Sequence, residues 1–366
     1  MDREKLRIAF FIGNMGSSGG TERVLSVIAN GLSERGHHVS IMSLRGTGRV
    51  FFPVSDAVKI YWLEKEVPKA GIIKKIQSLA VFLNFEHIDF LIDVDIILCF
   101  YSLFLKRLRP QMHWISWEHF NFYYHFRKNH FLRSMARRLV ARYSECLVVL
   151  SEEDKGYYKE KLNLKCKITR IYNPNPYEDK APKEMGEPMI FAAGRLTKAK
   201  GFDLLIKSWK LLEDRYPKWK VMVAGEGTDR KKLEKEIESA GIKRFDLVGN
   251  TDQIEQYYRR AEIFALPSRD EGFGMVLLEA MAFSLPAVGY ACKAGPKEII
   301  EEGENGFLVI PGDVEMFARK MEILMQDAHR RRKMGEKARE STKRFQREQI
   351  LDAWELLLHE MVEQTG

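Results

Sequence analysis

At 366 residues the chain is longer than one ordinary core and suits two domains of roughly 180 residues each. Its 45% hydrophobic and 30% charged residues are globular proportions, and its most apolar run, Ile96 to Leu105, falls short of the roughly 18 residues a membrane span needs. The net charge of +8 is lopsided: residues 1–180 carry 28 Lys/Arg against 19 Asp/Glu (+9) and the remainder 31 against 32 (−1), so polyanions, phosphates or an anionic membrane surface are partners expected of the first half.

The N-terminus, MDREKLRIAFFIG, runs from charges straight into a strand without the apolar core and cleavage site of a secretory signal, which predicts a cytoplasmic protein. LRIAFFIG (Leu6 to Gly13) is an apolar run broken only by Arg7 near its start, the pattern of a buried parallel strand. The glycine-rich loop GNMGSSGGTERV follows. Thr21 is expected to cap the next helix, with Val24, Leu25, Ile28 and Leu32 at helical spacing and Gly36 as its stop. HHVSIMSL then completes a βαβ unit, and further strands are expected at DVDIILCF, HWISW and CLVVLS.

In DVDIILCF, Asp93 and Asp95 form a D-x-D pair that precedes the predicted strand. That places them at the edge away from a ligand site, and no metal is expected there. HWISW leads into Glu118 and His119, at the edge where doubly wound sheets place ligands, although His113 on the same strand is a competing candidate to face the site. In HFRKNHFLRSMARRLVARY, Leu132, Met135, Ala136, Leu139 and Tyr143 fall on one helical stripe. Arg127, Arg133, Arg137, Arg138 and Arg142 fall mostly on another, and no acidic residue is present. Such a helix, Arg127 to Tyr143, fits an anionic membrane surface; the alternative packs the apolar stripe inside its own domain. Cys99, Cys146, Cys166 and Cys292 form no C-x-x-C pair and read as free thiols.

Proline and charge concentrate in NPNPYEDKAPKEMGEP, as in interdomain linkers, which divides the chain into a first domain over 1–173, a linker over 174–188 and a second domain over 189–345. The second domain restarts the pattern with strands at MIFAAG, KVMVAG, RFDLVG, IFALPS and PAVGY. The last helix, 346–366, puts Leu351, Trp354, Leu357 and Leu358 on one face and is expected to pack back on the first domain. The fold class is thus α/β, two doubly wound domains in tandem, with ligands expected at the carboxyl ends of strands facing a central cleft.

Two segments of the second domain carry the chemistry. FAAGRLTKAKGFDLLIKSW sets Arg195 and Lys200 just after a strand, where an arginine fork and a lysine point charge can clamp a diphosphate. DEGFGMVLLEAMAFSLP sets Glu271 on a glycine-rich turn and Glu279 about one turn into the helix that follows, roughly 6 Å along. A helix N-terminus favours an anion, and each carboxylate accepts two hydroxyl donors, so the pair suggests a sugar nucleotide: polyols at the ends, diphosphate between.

GRLTKAKGFDLLI, AGEGTDRKKLE, ALPSRDEGFGMVLLEAMAFSLPAV and NGFLVIPGD resemble the C-terminal half of glycosyltransferase family 4, which has the two-Rossmann GT-B fold, and the resemblance extends over nearly the whole chain. Its most specific element is the E-x7-E pattern, Glu271 and Glu279. The resemblance implies that Arg195 and Lys200 hold the donor diphosphate and that Glu279 binds ribose. It gives the transferred sugar and phosphate to Glu271 and the amides of Phe273, Gly274, Met275 and Val276. It also implies that the backbone at Gly19 and Gly20 approaches the donor and that His119 reaches the donor sugar, making His119, Glu271, Arg195 and Lys200 the catalytic set, with no cofactor and no metal. The implied activity is retaining transfer of a hexose or N-acetylhexosamine from a UDP-sugar to a glycan or polyprenyl-diphosphate-linked acceptor. Its implied setting is bacterial cell-surface polysaccharide or lipopolysaccharide synthesis, peripheral on the inner face of the plasma membrane. The alternative is a non-catalytic sugar-nucleotide-binding scaffold; nucleic acid is not an expected partner, since no recognised motif accompanies the basic charge.

Overall fold

The computed structural model describes residues 5–46, 48–124, 130–178 and 187–364, so Arg127 and residues 179–186 of the expected linker lie outside the described residues. The chain divides into two compact units, Met1–Pro176 with Arg347–Gly366, and Tyr177–Gln346.

The first unit is built on β1 (Arg7–Asn14), β2 (His38–Arg45), β3 (Lys59–Trp62), β4 (Phe90–Val94), β5 (His113–Trp117), β6 (Cys146–Val149) and β7 (Lys167–Arg170). All described pairings are parallel, in the order β3-β2-β1-β4-β5-β6-β7. The central strands β4, β5 and β6 are buried along their whole length because helices cover both faces. Those helices are α1 (Gly20–Glu34), α2 (Leu63–Glu66), α3 (Ile72–Phe85), α4 (Cys99–Leu108), α5 (His130–Tyr143) and α6 (Glu152–Lys161). The edge strands β3 and β7 were not expected: KIYW and KITR are short and half-polar, as edges are.

Two expectations are corrected here. The strand near DVDIILCF is FLIDV, so Asp93 lies inside β4 and Asp95 just past its carboxyl end; the apolar ILCF run instead forms a tight turn over Ile96–Leu98 and the start of α4. Along α5 the buried stripe is Arg133, Ala136, Arg137 and Val140, while Leu132 and Tyr143 are exposed, so the helix is rotated from the expected phase. The cause is electrostatic: Arg133 reaches Asp95 and Glu118 at 2.9 and 2.8 Å, and paired carboxylates make its burial tolerable.

After the second unit the chain re-enters the first as its closing helix, while the second unit itself holds β8 (Met189–Ala193), β9 (Lys220–Ala224), β10 (Phe245–Gly249), β11 (Ile263–Leu266), β12 (Ala287–Tyr290) and β13 (Gly306–Val309). They pair in parallel in the order β10-β9-β8-β11-β12-β13. Around them run α7 (Phe202–Lys210), α8 (Arg230–Ser239), α9 (Ile254–Arg260), α10 (Met275–Ala282), α11 (Pro296–Ile299), α12 (Val314–Gln326) and α13 (Ala328–Ser341). The closing helix, α14 (Arg347–Glu363), buries Leu351, Trp354, Leu357 and Leu358 in the first unit. It lies close on α1: a Cβ at Gly31 would fall 2.5 Å from Leu351 Cδ1. A polar clasp holds it, with Arg35 donating to Glu348, Asp352 and Glu355 and His37 Nε2 3.0 Å from Glu355.

Cys99, Cys146 and Cys292 are buried free thiols. Among the described residues no helix is long and apolar enough to cross a membrane.

Candidate active site

Both sheets reverse their order at one point, between β1 and β4 in the first unit and between β8 and β11 in the second. Open α/β sheets bind ligands outside the carboxyl ends of the strands at such a point. In the second unit the two segments there are residues 194–201 and 267–274.

After β8 the chain turns through Arg195, buried Leu196 and a tight turn over Lys198–Lys200 before α7. Gly201 (φ +68) ends that turn against the other loop, where a Cβ would collide with the Pro267 carbonyl oxygen; only glycine meets both the backbone angle and the close approach. The loops are stitched by Arg269 N–H donating to Ala199 O at 2.7 Å and by two Arg269–Asp203 hydrogen bonds of 2.7 Å. This brings Lys200 Nζ to Glu271 Oε1 at 2.7 Å, and Ser268 Oγ donates to the same oxygen at 2.6 Å. Glu271 is buried, and both hydrogen bonds offset part of the cost of burying it. Arg195, by contrast, is exposed, and its guanidinium has no side-chain partner among the described residues.

The β11 loop passes through buried Phe273 and ends at Gly274 (φ +98), from which α10 starts. Leu277 and Leu278 N–H donate to Gly274 O, and helix geometry leaves the Met275 and Val276 N–H groups without intrahelical acceptors. One turn in, Glu279 is buried and accepts a hydrogen bond from Tyr258 Oη at 2.9 Å. Tyr258 is itself fixed by Phe191, Phe264 and Phe283. Tyr258 and Ser268 were missed by sequence reasoning: neither sits in a spacing that marks a carboxylate partner.

In the first unit, the loop after β1 leads to Gly19 as the N-cap of α1, with Gly20 its first residue; the expected cap, Thr21, is already inside the helix. His113 and His119 are separated by the length of β5. His113 opens the strand and bonds Glu145 at 2.5 Å, whereas His119 lies two residues past its carboxyl end, the end where ligands bind. His119 is buried, and among the described residues no hydrogen bond reaches its ring, which rests on Trp117 at 4.3 Å between centroids. Burial pushes its pKa down to about 3, so the imidazole is neutral at physiological pH. Trp117 in turn meets Trp354 of α14 edge-on at 5.0 Å.

The segment carrying His119 is anchored underneath. Glu118 accepts from Arg133 at 2.8 Å and from Phe120 N–H at 3.0 Å, and Asp154 accepts from Phe122 N–H at 2.7 Å. Asp93 accepts from Ser102 and from Trp114 Nε1, and burial pushes its carboxyl up to about 8. The D-x-D aspartates thus serve separate partners, Ser102 and Trp114 for one and Arg133 for the other.

Comparison with known proteins gives the family and the fold. Residues 18–175 match the family described as Glycosyltransferase Family 4, and residues 175–341 match Glycosyl transferases group 1. An uncharacterized glycosyltransferase of Haemophilus influenzae is 33% identical over 96% of this chain and 99% of its own. An alpha-1,4-N-acetyl-D-galactosaminyltransferase of Campylobacter jejuni, whose name includes a PP-undecaprenol-linked glycan, is 27% identical over 97% and 99%. The fold superposes on that of TarM from S. aureus, solved in complex with UDP among other ligands, with a TM-score of 0.82 at 15% identity over 96% and 99% of the two chains.

Proposed function

Because the chain belongs to glycosyltransferase family 4, we propose that it moves a hexose or N-acetylhexosamine from a UDP-sugar onto a glycan or polyprenyl-diphosphate-linked acceptor in bacterial cell-surface glycan synthesis. The observation that carries this reading is the pairing of half-buried Lys200 with buried Glu271 at the switch point of the second sheet, beside the N-terminus of α10 and an exposed Arg195. The PP-undecaprenol in the Campylobacter relative's name and the UDP bound to TarM support the acceptor and the nucleotide.

In this reading Arg195, Lys200 and the first N–H groups of α10 take up the charge that develops on the departing diphosphate, which makes a metal unnecessary. Glu279, oriented by Tyr258, accepts the ribose hydroxyls, and Glu271 accepts hydroxyls of the transferred sugar. From the first unit, the backbone at Gly19 and Gly20 and the neutral ring of His119 supply hydrogen bonds to the donor. The acceptor enters on the face from which the diphosphate leaves, and the leaving phosphate takes the acceptor's proton, so configuration is retained without a protein nucleophile.

A thermal-shift panel of UDP-, GDP- and ADP-sugars tests the donor. At 100 times its dissociation constant a UDP-sugar adds about 2.7 kcal/mol to the native state. Absence of a shift with every UDP-sugar refutes the assignment, and donor turnover measured with and without acceptors separates a transferase from a non-catalytic scaffold.

The ring stack gives a kinetic prediction. Since packing on Trp117 is what orients His119, and Trp354 backs Trp117, Trp354→Leu is expected to lower kcat by about tenfold with little change in donor KM. Trp354→Phe, which keeps an aromatic edge, retains most of the rate. Equal losses in both variants, or a fall in stability with kcat unchanged, contradict this positioning.

A further inference from the structure

The outer surface of the first unit carries a feature that donor chemistry does not use. Helices α3, α4 and α5 pack side by side, α3 on α4 and α4 on α5. Their sequences, IIKKIQSLAVFLNF, CFYSLFLKRL and HFLRSMARRLVARY, contain eight Lys/Arg and not one Asp or Glu. A solvated helical layer ordinarily mixes both signs, so a surface purged of acid across three neighbours requires a cause.

The outward faces of these helices are also apolar. Ile73, Val81 and Phe85 stand out from α3, Phe104 and Leu108 from α4, and Phe131 from α5, each between 45% and 76% exposed. On α3, Val81 and Phe85 lie opposite the buried Leu79 and Leu83, which pack in the core, and Phe104 stands out from the middle of α4. Lys74, Arg107, Arg138 and Arg142 are exposed among them, while Arg133 and Arg137 are turned inward and spent on internal partners. Of the carboxylates near the layer, Glu86 pairs with Lys59 and Glu145 with Lys106 and His113, while exposed Glu64 and Glu66 lie on α2, beside α3.

We infer that the α3–α4–α5 layer is a docking surface for an anionic lipid bilayer. The cations meet the headgroup charge, and the exposed aliphatic and aromatic side chains enter the boundary between headgroups and acyl chains. Nucleic acid accounts for the cations but not for large apolar side chains standing between them. The surface deepens the proposed use of a lipid-linked acceptor and moves the membrane contact from the single helix read from sequence to a three-helix layer. Its test involves neither donor nor acceptor, so it fails or succeeds separately from the donor assignment.

The experiment is sedimentation of the full chain with vesicles of phosphatidylcholine alone and of phosphatidylcholine mixed with phosphatidylglycerol. The expected result is binding to the mixed vesicles at least about tenfold stronger, weakening as salt is raised. Phe85→Ser with Phe104→Ser, and separately Arg138→Gln with Arg142→Gln, are each expected to lower that binding by about tenfold at an unchanged unfolding midpoint. The inference is overturned by equal binding to both vesicle types, by binding to neither, or by variants that bind like the wild type. It is equally overturned by tighter binding to duplex DNA, or by a wild-type dimer that the Phe85/Phe104 substitutions dissolve.

Discussion

Lys200→Ala and Arg195→Ala are each expected to cut turnover by about 10²-fold or more, since one lost electrostatic contact to charge developing in a transition state is typically worth about 3 kcal/mol. Their effects on the fold should differ. Arg195 is exposed without a side-chain partner among the described residues, so its removal should leave the unfolding midpoint unchanged. Lys200 is the cation paired with buried Glu271, and loss of that charge-assisted hydrogen bond is expected to cost about 1–3 kcal/mol of stability. Steady-state kinetics together with urea unfolding separates the two contributions. Near-normal rates in both variants would mean that these two cations do not clamp a diphosphate.

The largest stability effect is expected at Arg133. It lies buried between Glu118 and Asp95, with its guanidinium over the Phe120 ring at 4.9 Å. Arg133→Ala strands Glu118, itself fully buried, and should destabilise the chain by about 3–5 kcal/mol, the usual cost of removing one partner of a buried pair. Adding Glu118→Gln to that variant removes the stranded charge and should recover part of the loss, so the double variant is more stable than the single one. Urea midpoints decide this; a single variant within about 1 kcal/mol of wild type would mean that the pair does not anchor the His119 segment.

How far the fold could be read from sequence depended on how each segment satisfies its polar atoms. Strands β1, β2, β5 and β6 and five strands of the second unit were legible because a parallel strand covered on both faces is an apolar run bounded by turn residues. β4 was misplaced because it contains Asp93, whose carboxyl is met inside the core by Ser102 and Trp114, contacts made by residues 9 and 21 positions away. The period of α5 was legible but its phase was not, since Arg133 is buried by carboxylates 38 and 15 positions distant. At the candidate site, Arg195, Lys200, Glu271 and Glu279 were nameable from spacing after strands. The hydroxyls of Ser268 and Tyr258 were not, because they become partners only once the loops close. Likewise the Trp354–Trp117–His119 stack joins the chain's last helix to β5, and no local pattern announces it.

The most direct test of the central claim is a crystal structure of the chain soaked with UDP. The diphosphate is expected within hydrogen-bonding reach of Arg195, Lys200 and the first N–H groups of α10, with the ribose hydroxyls on Glu279. A diphosphate bound away from these groups, or a ribose that does not touch Glu279, would contradict that claim.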